Sequence, residues 1–320
     1  MNLEQIANEC NITNREYTPE IVASVDKLKQ EYTPDDLIII YGYFLKHAKN
    51  ANVMTYLIKC LDEIRYPAAL DMLMDIVLLR GDYSDFNVED SSFINTRVQA
   101  IKAISNLKDT KAVSGLLECL NNRKENYKVR LNAADALGKI GDKYAVMPLI
   151  DVACDEEEKS SYVRESAITA LGMLGDMRAL DSLVSILETQ KGFIDKFLFL
   201  KERVIEAIGK LNFSNERVIK ALKNSLTDDS PQIRINAIEA LMNTEEESAF
   251  ELIKTMLNDK NEEVVQNAVI ALYNMNGVDI LNEIIENSEY NENAKKQAEM
   301  IKEEYEDEDF EDDGDGEDYE

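Results

Sequence analysis

The chain has no tryptophan and a single histidine, His47, among its 320 residues. One histidine rules out any site that needs two, including His-Glu-x-x-His zinc centres and facial-triad iron. The four cysteines, Cys10, Cys60, Cys119 and Cys154, are far apart and form no Cys-x-x-Cys pair. Two of them sit in apolar runs, so they read as small core residues of a reduced protein. Basic residues are scarce too: 35 against 63 acids, a formal net charge of −28. Binding to nucleic-acid phosphates or to an anionic membrane needs the opposite balance. The longest apolar run, Leu37 to Leu45, is far too short to cross a bilayer, which takes about 20 residues. There is no Gly-x-x-x-x-Gly-Lys loop and no Gly-x-Gly-x-x-Gly after a strand. The opening Met1-Asn2-Leu3-Glu4-Gln5 has neither the basic nor the apolar region of a secretion signal. The expectation is a cytoplasmic protein with no cofactor, no metal, no nucleic acid and no membrane contact.

What is present is carboxylate and hydrophobic side chains. At 45% hydrophobic residues the chain can bury a sizeable core. Thirteen acids and no base crowd residues 303–320, leaving 50 acids against 35 bases before them. Such a low-complexity segment is expected to be disordered beyond about Asp307. Carboxylates are so numerous that no pair stands out as general acid and base, and His47 falls at an expected helix end, where it caps carbonyls or faces water. The sequence therefore reads as non-enzymatic.

Its organisation is a repeat. Val129-Arg130-Leu131-Asn132-Ala133-Ala134-Asp135-Ala136-Leu137-Gly138-Lys139-Ile140-Gly141-Asp142 returns as Val163-Arg164-Glu165-Ser166-Ala167-Ile168-Thr169-Ala170-Leu171-Gly172-Met173-Leu174-Gly175-Asp176. Weaker copies begin at Arg97, Lys201, Arg234 and Val265, with steps of 33, 34, 37, 33 and 31 residues along the series. Apolar spacing inside each unit is helical: Ala133, Ala136, Leu137 and Ile140 share a face. A second amphipathic helix precedes each copy, as in Val113, Leu116, Leu117 and Leu120. Pro148 falls early in its helix and is expected to bend the first turn. Each unit is a helical hairpin that cannot bury its apolar face alone, so neighbours must stack.

Two columns bear on the stacking. Gly138, Gly172 and Gly209 lie eight residues after the basic position, and glycine inside a helix implies close approach by a neighbour. The basic column is Arg97, Arg130, Arg164, Lys201 and Arg234. Six residues before members of the series stand acids: Glu158, Asp195, Asp228 and, ahead of Val265, Asp259. A structural ladder joining successive turns would satisfy both columns.

The motif Val-Arg-x-x-Ala-x-x-Ala-Leu-Gly-x-Ile/Leu-Gly-Asp resembles the HEAT repeat, in the short form typified by phycobilisome-lyase-like proteins. The match is strong at Val129–Asp142 and Val163–Asp176, fair at Arg234 and Lys201, and worn at Arg97 and Val265. The resemblance implies an all-α solenoid of about seven hairpins over residues 67–302, after an N-terminal helical cap in 1–66 and before the acidic tail of 303–320. It also implies that the second helices line a concave face. Their outward positions would be Gln99, Asn132, Ser166, Arg203, Asn236 and Asn267, a strip suited to gripping another protein. Related families with chemistry are excluded: di-iron HEAT-repeat hydroxylases imply paired His-Glu motifs, and HEAT-like glycosylases imply a basic, tryptophan-bearing face.

Insertions break the repeat at Gly81–Asn95, which brings Tyr83 and Phe86, and at Phe193–Leu200. Inserted aromatics either anchor a partner or plug gaps between hairpins. The leading expectation is a scaffold that binds a basic protein through its concave face and acidic tail, with oligomeric state open. A bilin lyase-like or chaperone-like subunit, and an inhibitor of a basic toxin or nuclease, are the alternatives.

Overall fold

The computed structural model describes residues 1–84, 86–188, 198–244 and 246–312, with side chains described to residue 304. The fold is an all-α solenoid; no strand occurs among the described residues. It divides into two compact units, Met1–Ala179 and Leu180–Glu320.

In the first unit, α1 (Leu3–Glu9) and α2 (Pro19–Glu31) pack on α3 (Pro34–His47), which pairs with α4 (Ala51–Ile64). Three hairpins come next: α5 (Leu70–Val77) with α6 (Ser91–Leu107), α7 (Val113–Asn121) with α8 (Tyr127–Ile140), and α9 (Val146–Cys154) with α10 (Ser161–Leu174). Helices α4, α6, α8 and α10 pack directly on one another in sequence, whereas α7 and α9 touch only sparingly. The second helices thus form the tight layer of the stack. In the second unit the hairpins are α11 (Leu180–Glu188) with α12 (Leu198–Leu211), α13 (Glu216–Ser225) with α14 (Pro231–Met242), α15 (Glu247–Lys254) with α16 (Glu262–Asn276), and α17 (Val278–Glu286) with α18 (Glu292–Asp312). Here α12, α14, α16 and α18 form the continuous layer.

The repeated Gly-Asp is the hinge of this design. Gly141 and Gly175 take φ of +84° and +60°, closing α8 and α10 in the left-handed conformation that glycine enters without a Cβ clash. The aspartates after them, Asp142 and Asp176, accept backbone N–H groups from Tyr144 and Arg178 at 2.9 and 3.0 Å. Asp109 does the same for Lys111 at 2.9 Å. Each caps a short 3-10 turn that feeds the next hairpin.

Glycine inside the second helices allows close contact. A Cβ on Gly138 would lie 2.8 Å from Ala170 Cα, and one on Gly209 would lie 3.1 Å from Ala240 Cα. Pro148 is the third residue of α9, where its missing N–H would have no partner within the helix anyway, so no bend is required. Helix α18 runs to Asp312, five residues past the point where the sequence leads one to expect disorder. Residues 313–320 lie outside the described residues.

Candidate functional site

The basic column turns inward. Arg97 is 1% exposed and lies under the end of its own first helix. Its Nε and Nη2 donate to the Val77 carbonyl at 3.0 and 2.7 Å, while Nη1 and Nη2 hold Glu125 at 2.9 and 2.6 Å. Arg130 repeats the arrangement: Nε donates to Leu120 O at 2.8 Å and Nη2 meets Glu158 at 2.7 Å. Arg234 donates to Asp228 O and Asp229 O and is held by both oxygens of Asp259 at 2.9 and 2.8 Å. Lys201 pairs with Asp228. Arg164 is buried and donates Nε to Ala153 O at 2.9 Å, and burial lowers its pKa. Asp195 lies outside the described residues.

In Arg97, Arg130 and Arg164 the guanidinium thus satisfies a carbonyl that the first helix leaves open at its C-terminus, and in Arg234 it satisfies carbonyls of the inter-helix turn. Arg97, Arg130 and Arg234 also bridge to the turn of the next hairpin. Asp228 and Asp259 also accept the N–H two residues on, from Ser230 and Asn261 at 2.9 and 2.8 Å, so each acid shapes its own turn. Burial pushes the Glu125 and Glu158 carboxyls up, but hydrogen bonds and charge from Arg97 and Arg130 outweigh it, leaving both below the usual range. Glu125 escaped the sequence pattern because it precedes Arg130 by five residues instead of six.

The expected outward strip is partly an inner seam. Asn236 is 5% exposed and accepts from Gln232 Nε2 at 2.8 Å; Ser166 is 9% exposed and hydrogen-bonds Asp135. Neither is available to a partner. Position two after the basic residue lies where one second helix meets the next, and in α14 the neighbours Ile233, Ile235, Ala237 and Ile238 are all buried. Gln99, Asn132, Arg203 and Asn267 are half-buried. Asn132 and Asn267 donate to the carbonyls four residues back, of Lys128 and Glu263, both at 2.8 Å. Arg203 holds Glu206 at 2.5 Å.

The aromatics inserted at Gly81–Asn95 fold back, while Phe193 and Phe197 lie outside the described residues. Tyr83 is 3% exposed, and Phe86 stacks on Phe93 of α6 with centroids 4.4 Å apart at 16°. Tyr83 is therefore core, and Phe86 keeps only an edge on a cleft of about 290 Å³ beside Asn50 and Asp90. His47 ends α3, its Nδ1 donating to Tyr43 O at 2.8 Å while its ring stacks on Tyr43. Cys60 and Cys119 are buried, and burial pushes the Cys119 thiol up to about 12. Among the described residues no cluster of histidine, cysteine and carboxylate could hold a metal ion, and no helix is long and apolar enough to cross a membrane.

A larger cleft, about 670 Å³, opens where α12, α14 and α16 end. Gly209, Lys210, Asn212, Met242, Asn243, Asn274 and Met275 line it. Its three asparagines recur at 31-residue intervals, a column not apparent from the repeat motif.

Stacked hairpins with a tight second-helix layer and inward arginines define an α-solenoid repeat protein. The HEAT-repeat family model matches residues 115–196 and 200–274, and the PBS lyase HEAT-like repeat model matches residues 96–122. These matches span more than half of the chain, which belongs to the HEAT-repeat family and is of the PBS-lyase-like type. Phycocyanobilin lyase subunit alpha from a Picosynechococcus species is 31% identical over 159 residues, 45% of this chain and 56% of that protein. The chain thus spans little more than half the length of this curated relative. Among solved structures, a multiply substituted Kap121p has a TM-score of 0.60 at 12% identity, over 93% of this chain and 37% of that one. The YibA protein of Escherichia coli has a TM-score of 0.50 at 15% identity, over 90% and 98%. Both likenesses are of fold.

Proposed function

We propose that the chain is a non-enzymatic scaffold that holds another protein against its second-helix layer, and that this partner presents a basic surface. The observation that carries the reading is the commitment of the repeat's basic column to buried bridges with Glu125, Glu158, Asp228 and Asp259. Those cations are withdrawn from the surface, while Glu239, Glu263 and many other acids stay exposed. Each bridge withdraws one cation and one carboxylate, so the surface keeps the full net charge of −28 with fewer bases left to interrupt it, and opposite charge steers association. The test is co-purification from the native cell at low and at high salt. A basic protein that is retained at low salt and lost at high salt supports the reading, since salt screens exposed charge. Retention only of acidic proteins overturns it.

A second reading, a bilin lyase-like subunit, is favoured by the 31% identity to phycocyanobilin lyase subunit alpha. Mixing the purified chain with phycocyanobilin and recording the visible spectrum tests it. A shifted, protein-bound band favours the lyase reading over the scaffold; an unchanged spectrum with and without candidate partner subunits removes it.

A further inference from the structure

We infer that the cleft at the ends of α12, α14 and α16 is a binding site for an extended, acidic-apolar segment of another protein. The proposal goes beyond the basic-partner reading: it concerns only the C-terminal ends of three second helices and an occupant of opposite charge, so the two are tested separately. Three observations converge on it. First, the cleft of about 670 Å³ falls within the usual range of ligand sites. Second, its polar groups are uncommitted. Half of the other asparagines cap helices or turns, as Asn50, Asn126, Asn215 and Asn261 do, or bond back along their helix, as Asn132 and Asn267 do. Among the described residues, by contrast, the Asn212 and Asn243 carboxamides have no hydrogen-bond partner. Asn274 has only a 3.8 Å contact to the Met242 sulfur. Third, the charge is inverted: among the described residues no carboxylate lines this cleft, in a chain of 63 acids, and the one charged lining residue is Lys210.

The chemistry selects the occupant. A carboxamide offers a donor and an acceptor, as a peptide backbone does, so each asparagine can pair with a main-chain amide. Neighbouring packed helices stand about 8–10 Å apart, close to the advance of three residues of extended chain at about 3.3 Å each. A small molecule would meet one asparagine; an extended chain crossing successive hairpins meets all three. Met242 and Met275 supply an adaptable apolar floor for its side chains. Lys210 selects a carboxylate beside them. Gly209 keeps the floor open: a Cβ there would crowd Ala240 and come within 3.6 Å of the Asn243 Nδ2.

The test uses the full chain and two fluorescein-labelled peptides, one alternating aspartate with leucine and one alternating lysine with leucine, read by anisotropy. The aspartate peptide is expected to bind saturably and the lysine peptide not. N243A/N274A should weaken the aspartate peptide by about tenfold or more through two lost hydrogen bonds, with the melting temperature unchanged because neither carboxamide supports the fold. K210E should weaken it as well and admit the lysine peptide. Absence of saturable binding, equal binding of the two peptides, or an unaltered affinity in N243A/N274A would each overturn the proposal. So would a tenfold tightening in a variant ending at Glu304, which would make the chain's own acidic segment the occupant.

Discussion

Arg130 and Glu158 belong to successive hairpins, and their side chains meet at 2.7 Å with each almost wholly buried. Burying two charges costs several kcal/mol per ion, and their attraction and hydrogen bonds offset this only while both are present. Removing one partner is therefore worse than removing both. Arg130→Met should lower stability by about 3–5 kcal/mol, whereas Arg130→Met with Glu158→Leu should recover most of the loss. Urea denaturation of the three proteins checks this, and equal losses in the single and double variants would refute the buried-pair account.

The same bridges set an acid limit. Glu125 and Glu158 have folded-state pKa values below their unfolded ones. Their contribution is complete above the unfolded value near 4.3 and fades as pH falls through the folded value. Melting temperature should fall steeply below about pH 4.3, and Glu158→Gln should flatten that slope while lowering the melting point at pH 7.

Asp135 should behave in the opposite sense. Burial raises its pKa, against the hydrogen bond from Ser166 and the charges of Lys139 and Lys102. A carboxyl whose folded pKa exceeds its unfolded one opposes folding when ionised and ceases to do so once protonated. Asp135→Asn is expected to stabilise at pH 7 and to lose that advantage near pH 3 in the same thermal scans.

Glycine positions divide into two kinds. Gly138→Ala gains helix propensity of about 1 kcal/mol but drives a Cβ to 2.8 Å from Ala170 Cα, backbone that cannot swing aside. The net effect should be destabilising by about 1–3 kcal/mol from overpacking. At Gly209 the corresponding approach is 3.1 Å, and the loss should be smaller. Paired unfolding curves for the two variants test the ranking.

The repeat, the fold class and the inward turn of the basic column can all be followed from residues. Gly141 and Asp142 stand in the repeat motif, though their left-handed stop and cap emerge only in the structure, and Arg130 with Glu158 reads as a column pair. Helical spacing alone does not reveal how near the next helix comes. Asn236 and Ser166 are polar and suitably spaced for a surface strip, yet α14 and α10 are covered on that side by neighbours. Tyr83 and Phe86 posed the same difficulty, since whether a loop aromatic meets solvent or α6 depends on how the chain turns after Gly81. The asparagine column of the cleft was obscured by the many other asparagines that cap turns.

One property of the bridges reaches beyond any single hairpin. For Arg97, Arg130, Lys201 and Arg234, the cation belongs to one hairpin and the carboxylate to the hairpin after it. These hairpins are consequently not interchangeable beads but links with a head and a tail, each incomplete until its successor exists. Deleting a later hairpin would strand a buried arginine in the one before. At position 265 the cation gives way to a buried valine, so α16 makes no such demand on the hairpin after it. From there the link to the next hairpin changes kind: Lys254 of α15 meets Glu283 of α17 at 2.8 Å, a more exposed pair in place of a buried one.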